Sequence, residues 1–172
     1  MRLAQTCLAD ADPRRWRHVQ GAGNRASVIA SSVGDSDGTL PCAAWLHDIG
    51  YAPSLAVTGF HPLDGARFLE SIAAPRRIVD LVAHHSCARL EAAMRGLGSE
   101  LANFADEEGT VRDALWYCDI TTSPDGEPVK ATARIREIKH RYGPGTIVSD
   151  FITQATPELL LAVRRTEELL AR

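Results

Sequence analysis

Residues 44–53 read AWLHDIGYAP, an apolar run that carries His47 and Asp48 side by side and reaches Gly50 two residues later. An ionised carboxylate in apolar surroundings is costly unless a partner holds it. Any fold that buries this segment must therefore bring His47 and Asp48 to other polar groups from distant parts of the chain.

The surrounding pattern is helical. In 14–33, Trp16, Val19, Gly23, Ala26, Ala30 and Val33 recur at three- and four-residue spacing until GDSDG ends the segment. A more apolar helix is expected over 40–50, stopped by Gly50 and the AP that follows Tyr51. Pro62 and Pro75 suit the first turns of two more helices, 62–73 and one from 75 on whose face Ile78, Leu81, Val82 and His85 align. One or two short helices are expected in 88–105 around Gly96 and Gly98. A further helix, 111–120, turns Val111, Ala114, Leu115 and Cys118 inward. TTSPDGEP at 121–128 reads as a turn cluster, and 129–142 and 157–171 as amphipathic helices. The one strand-like stretch is GTIVSDFI at 145–152. The fold class is all-α, a single domain over 1–172 with a motif core at 14–122 and C-terminal helices over 127–172 packed on it.

The formal charge is −3, which gives no electrostatic footprint for a nucleic-acid polymer or a membrane surface. No apolar run approaches the roughly 18 residues of a membrane span, and the N-terminus carries no apolar signal core. The four cysteines, at 7, 42, 87 and 118, form no CxxC and no dense disulfide framework, which fits free thiols in a reducing cytoplasm.

The histidines sharpen the reading. His18, His47, His61, His84 and His85 all sit beside hydrophobic stripes, and Asp119 lies within LWYCDI. A single one of these is ordinarily a hydrogen-bonded core residue. Jointly they would need many private partners, whereas one or two metal ions would satisfy them together. Imidazole and carboxylate suit iron, manganese, nickel or zinc.

The order His18, His47-Asp48, His61, His84-His85, Asp119 resembles the H…HD…D motif of the HD-domain superfamily of metal-dependent phosphohydrolases, in its binuclear form. AWLHDIG is similar to the family's HD helix, HPLDGARFL to the segment of the first added histidine, and VAHHS to the second. The resemblance implies a helical bundle with metal at its centre. It places His18, His47, Asp48 and Asp119 on one ion and His61 with His84 or His85 on a second, Asp48 bridging. The implied catalytic groups are Asp48 and His47, with a metal-activated water attacking a small phosphorylated substrate, a phosphate mono- or diester such as a nucleotide.

Arg89, one turn beyond His85 if the helix continues, is the candidate phosphate contact, although a solvated helix-end role fits it equally. Asp64 suits either a group supporting His61 or an ordinary first-turn carboxylate. Lys130 and Arg134 read as a solvated face, and His140 as a surface residue. One position departs from the family: many binuclear phosphodiesterases carry Lys after HDxG, and here it is Tyr51, which brings no positive charge. No GYP signature occurs either, which disfavours a cyclic-dinucleotide phosphodiesterase. The alternative function is a mixed-valence di-iron oxygenase of the same superfamily acting on a small polyol or phosphonate. A regulator with a structural metal fits less well, because the ligand set is complete. A homodimer stays open.

Overall fold

The computed structural model describes residues 1–172, and all of its regular structure is helical. Helix α1 (Arg2–Leu8) buries Ala4 and Leu8, a short element that the sequence pattern did not announce. α2 (Pro13–Ile29) starts where Asp12 accepts the Arg15 backbone N–H and Pro13 occupies the first turn. α3 (Thr39–Leu46) packs along it, followed by a 3-10 turn, Ile49–Tyr51. α4 (His61–Ser71) and α5 (Arg76–Ala83) form the next pair. α6 (Ala88–Arg95) and α7 (Gly98–Leu101) are short, as the two glycines suggest. α8 (Thr110–Ile120) threads the centre, and α9 (Ala131–Tyr142) and α10 (Ile147–Leu170) close the bundle against it.

Two apolar clusters form the core. One gathers Leu40, Ala43, Leu115, Trp116, Phe151 and Leu159 from α3, α8 and α10. The other gathers Leu8, Val19, Ile49, Phe60, Leu63 and Val82 around α1, α4 and α5. α2 and α3 pass from one cluster to the other, and His18 and His47 stand where they cross: Val19 belongs to one cluster and Ala22 to the other, as do Leu46 and Ala44.

Two expectations are corrected. Residues 145–152 are not a strand; they open α10, which starts ten residues before the expected Pro157. Thr146 caps this helix by accepting the Ser149 backbone N–H, and Pro157 sits inside it. The apolar positions Phe151, Ile152, Ala155, Leu159, Ala162 and Val163 keep helical spacing through the proline, so burial outweighs the one lost hydrogen bond. Gly50, expected to end a helix, serves another purpose. A Cβ on it would lie 2.1 Å from the His61 carbonyl oxygen and 2.6 Å from the Gly65 amide nitrogen. Glycine here lets the turn after Asp48 lie directly against the first turn of α4. No helix is long and apolar enough to cross a membrane.

Candidate metal centre

α3 ends at Leu46, so His47 and Asp48 leave the helix at its C-terminus, with Asp48 in the bridge region (φ −99°, ψ 9°). Both are buried, and the partners that the sequence demanded converge on them. His18, His47 and Asp119 form one trio of donor atoms, and Asp48, His61 and His85 a second, the atoms of each lying within 4.8 Å of one another. Asp48 belongs to the second trio and also faces the first. One of its oxygens, Oδ2, lies 3.4 Å from His47 Nε2 and 3.8 Å from His18 Nε2, while Oδ1 lies 3.3 Å from His61 Nε2 and 3.9 Å from His85 Nε2.

Backbone carbonyls orient the rings. The Nδ1–H groups of His18, His47 and His85 donate to the carbonyls of Ser123 (3.1 Å), Ala44 (2.8 Å) and Val82 (2.6 Å). A carbonyl can only accept, so the hydrogen is on Nδ1 and the Nε2 lone pair of each neutral ring points inward. The consequence is lone pair against lone pair where His18 Nε2 comes within 3.4 Å of His47 Nε2, and His61 Nε2 lies 3.1 Å from the inward Nε2 of His85. His18 Nε2 also faces Asp119 Oδ1 at 3.0 Å. Clusters of inward acceptors are satisfied by a cation, and imidazole with carboxylate is the donor set of divalent transition metals. The residues present therefore fit the metal ions that the sequence pattern implied.

Burial opposes ionisation of Asp48, yet Arg15, His47 and His61 outweigh it and hold the carboxyl well below the usual range. Asp119 shifts the same way against its own burial, through the His18 and His47 imidazoles that face it. Burial pulls His61 down to about 4, against the pull of Asp48, and lowers His85 as well. Near neutral pH these groups are ligands in their metal-ready protonation states.

The adjacent histidines part company. α5 stops at Ala83, and Ser86 (φ 48°) and Cys87 (φ 62°) take left-handed backbone conformations, an arrangement costing about 1–2 kcal/mol per residue. His85 enters the second trio. His84 turns away and its Nε2–H donates to the Phe104 carbonyl at 2.9 Å, while its own carbonyl accepts the Trp116 indole N–H at 3.1 Å. His84 therefore ties α8 and the 102–109 loop to the end of α5. The broken helix also moves Arg89: it lies on the exposed side of α6, paired with Glu158 of α10, and does not line the cleft. Asp64 is buried, and its carboxylate accepts the backbone N–H groups of Val57, Thr58 and Gly59 plus the Thr58 hydroxyl. It fastens the loop that delivers His61. Lys130 and His140 are exposed as expected, whereas Arg134 is buried and faces the cleft.

Sequence reasoning missed Arg15. Its guanidinium donates to Asp48 Oδ2 at 2.8 Å and lies over the Tyr51 ring, 3.9 Å from the centroid. Tyr51 also stacks on His61 at 3.9 Å. Two groups that close cannot share a ring face, so Tyr51 separates Arg15 from His61. The positive charge that Tyr51 lacks thus comes from Arg15, whose signal was its place one turn before His18 on α2. Ser86, whose hydroxyl donates to Asp119 Oδ2, was missed as well. The cleft over these groups encloses about 270 Å³ and is walled by α9 and the first turns of α10.

A helical bundle with two facing His/Asp trios at the junction of its two cores defines a candidate metal centre. The family model of the HD domain matches residues 15–116, more than half of the chain, and the chain belongs to the HD-domain family, a superfamily of metal-dependent phosphohydrolases. Comparison with curated proteins and with solved structures found no match.

Proposed function

We propose that the protein hydrolyses the phosphate ester of a small phosphorylated molecule. His18, His47 and Asp119 would hold one divalent ion, and His61 and His85 a second, with Asp48 shared between them. The observation that carries this reading is the position of Asp48, one of whose oxygens faces the His18–His47 pair and the other the His61–His85 pair. Bound divalent ions supply Lewis-acid polarisation of phosphoryl oxygens and a water acidic enough to attack at neutral pH.

The chain's own groups do the rest. The carbonyls of Ser123, Ala44 and Val82 fix three imidazoles so that no reorganisation is needed on binding. Ser86 holds the outer oxygen of Asp119. Arg15, fixed between Asp48 and Tyr51, lines the cleft beside the trios and offers further donors to a phosphoryl oxygen. Burial raises the Tyr51 phenol, so it stays a neutral donor.

The test is reconstitution of purified protein with manganese, iron, nickel or zinc, metal analysis, and assays with p-nitrophenyl phosphate and bis(p-nitrophenyl) phosphate. Up to two ions per chain and metal-dependent release of nitrophenol, lost in Asp48→Ala, are expected. Two irons with oxygen consumption on a polyol or phosphonate, or no metal uptake at all, would overturn the reading.

A further inference from the structure

α9 turns Arg134, Ile138 and Arg141 toward the cleft, each about one helical turn from the next. The Arg134 side chain is only 5% exposed, and Nη1 donates to Glu137. Its Nε–H is buried without any partner, a state that costs about 1–3 kcal/mol. Arg141 Nε lies 3.4 Å from the other oxygen of the same Glu137. One carboxylate, itself partly exposed, thus serves two guanidinium groups, and the wall keeps excess positive charge. The remaining cleft arginine of this region, Arg95, is already matched by Glu91.

That excess is not needed for the scissile phosphate. Two divalent ions with Arg15 leave the floor electropositive even with Asp48 and Asp119 counted. We propose that the α9 arginines recognise a second anionic group on the substrate, a carboxylate, which takes the place of Glu137. The substrate class is then a compact phosphate ester of a hydroxy acid, with its body against Ile138, Val148, Phe151 and Ile152. A cleft of about 270 Å³ suits a small metabolite and not a polymer. The inference rests on the hydrolase reading and names its substrate class.

The experiment compares 3-phosphoglycerate with glycerol 3-phosphate, a pair that differs by the carboxylate, on the metal-reconstituted full chain. Turnover is followed by phosphate release and, where none occurs, affinity by calorimetry. The acid is expected to be favoured by about tenfold or more, the worth of a charge-assisted hydrogen bond. Arg134→Gln and Arg141→Gln should erase the preference through KM with little change in kcat. Glu137→Gln, which frees both guanidinium groups, should increase it several-fold, a gain that misfolding cannot mimic. Hydrolysis of both esters without preference, or a preference unchanged in all three variants, would overturn this inference and leave the hydrolase reading intact. A preference in binding without hydrolysis would keep the carboxylate contact at α9 and overturn the hydrolase reading. Neither binding nor turnover would overturn both.

Discussion

On the floor of the cleft, charged groups are held from several directions; on its α9 wall they are held from one. Asp48 meets Arg15, His47 and His61, and Asp119 meets His18 and Ser86. Arg134 has a single carboxylate, shared with Arg141, and a donor with nothing to bind. The floor is arranged to receive cations at fixed points, so its geometry tolerates little change. The wall is arranged around an anion that can be exchanged. On the reading proposed above, chemistry and selectivity sit on separate helices, and substitutions on each should read out differently.

Asp48→Ala strikes the group that belongs to one trio and faces the other. Metal content should fall and phosphatase activity should drop by about a thousandfold or more, as removal of a central catalytic group does. Retained activity would dissolve the contrast between floor and wall. His85→Ala should remove one ion of two and lower activity by about a hundredfold, measured by metal analysis beside turnover. The wall substitutions Arg134→Gln and Arg141→Gln should leave metal stoichiometry intact.

Arg15→Ala sharpens the same comparison on stability. It leaves Asp48 buried without its guanidinium and should cost the metal-free protein about 3 kcal/mol in denaturant unfolding. Added metal should recover much of that loss, because cations then occupy the same carboxylate. Acid acts in the same direction. His61 titrates at about 4 when folded against about 6.5 when unfolded, so the unfolded chain binds the extra proton between these values. Metal-free stability should therefore decline as pH falls from about 6.5 toward 4, and further as Asp48 and Asp119 are protonated. Thermal melts across this range should show a shallower slope in His61→Gln. The smallest effect is expected of His84→Gln, which should destabilise by about 1–2 kcal/mol with metal content unchanged.

The floor was more legible in the sequence than the wall. His18, His47, Asp48, His61 and Asp119 stand in recognisable contexts, and a buried carboxylate beside a histidine demands partners. His84 and His85 could not be separated, because the left-handed turn at Ser86 and Cys87 lacks the glycines that would have marked it. Arg89 was misplaced for the same reason, being projected along a helix that had already ended. Arg134 resembled any charged residue on an amphipathic helix; its burial depends on α10 beginning at Ile147, and Pro157 disguised that start. Arg15 was hidden among neighbouring arginines, with only its one-turn offset from His18 to distinguish it.

The passage of α2 and α3 from one apolar cluster to the other has a consequence for how the molecule comes apart. Val19 and Leu46 belong to one half of the core, Ala22 and Ala44 to the other, and the inward-facing imidazoles lie on the line between. Without metal, that line is a row of mutually repelling lone pairs, a natural parting plane along which the halves can loosen one before the other. Cations bound there would rivet the halves together. Calorimetric unfolding should then sharpen from a broad transition into a single cooperative one, making the candidate metal centre also the element that makes two half-cores melt as one.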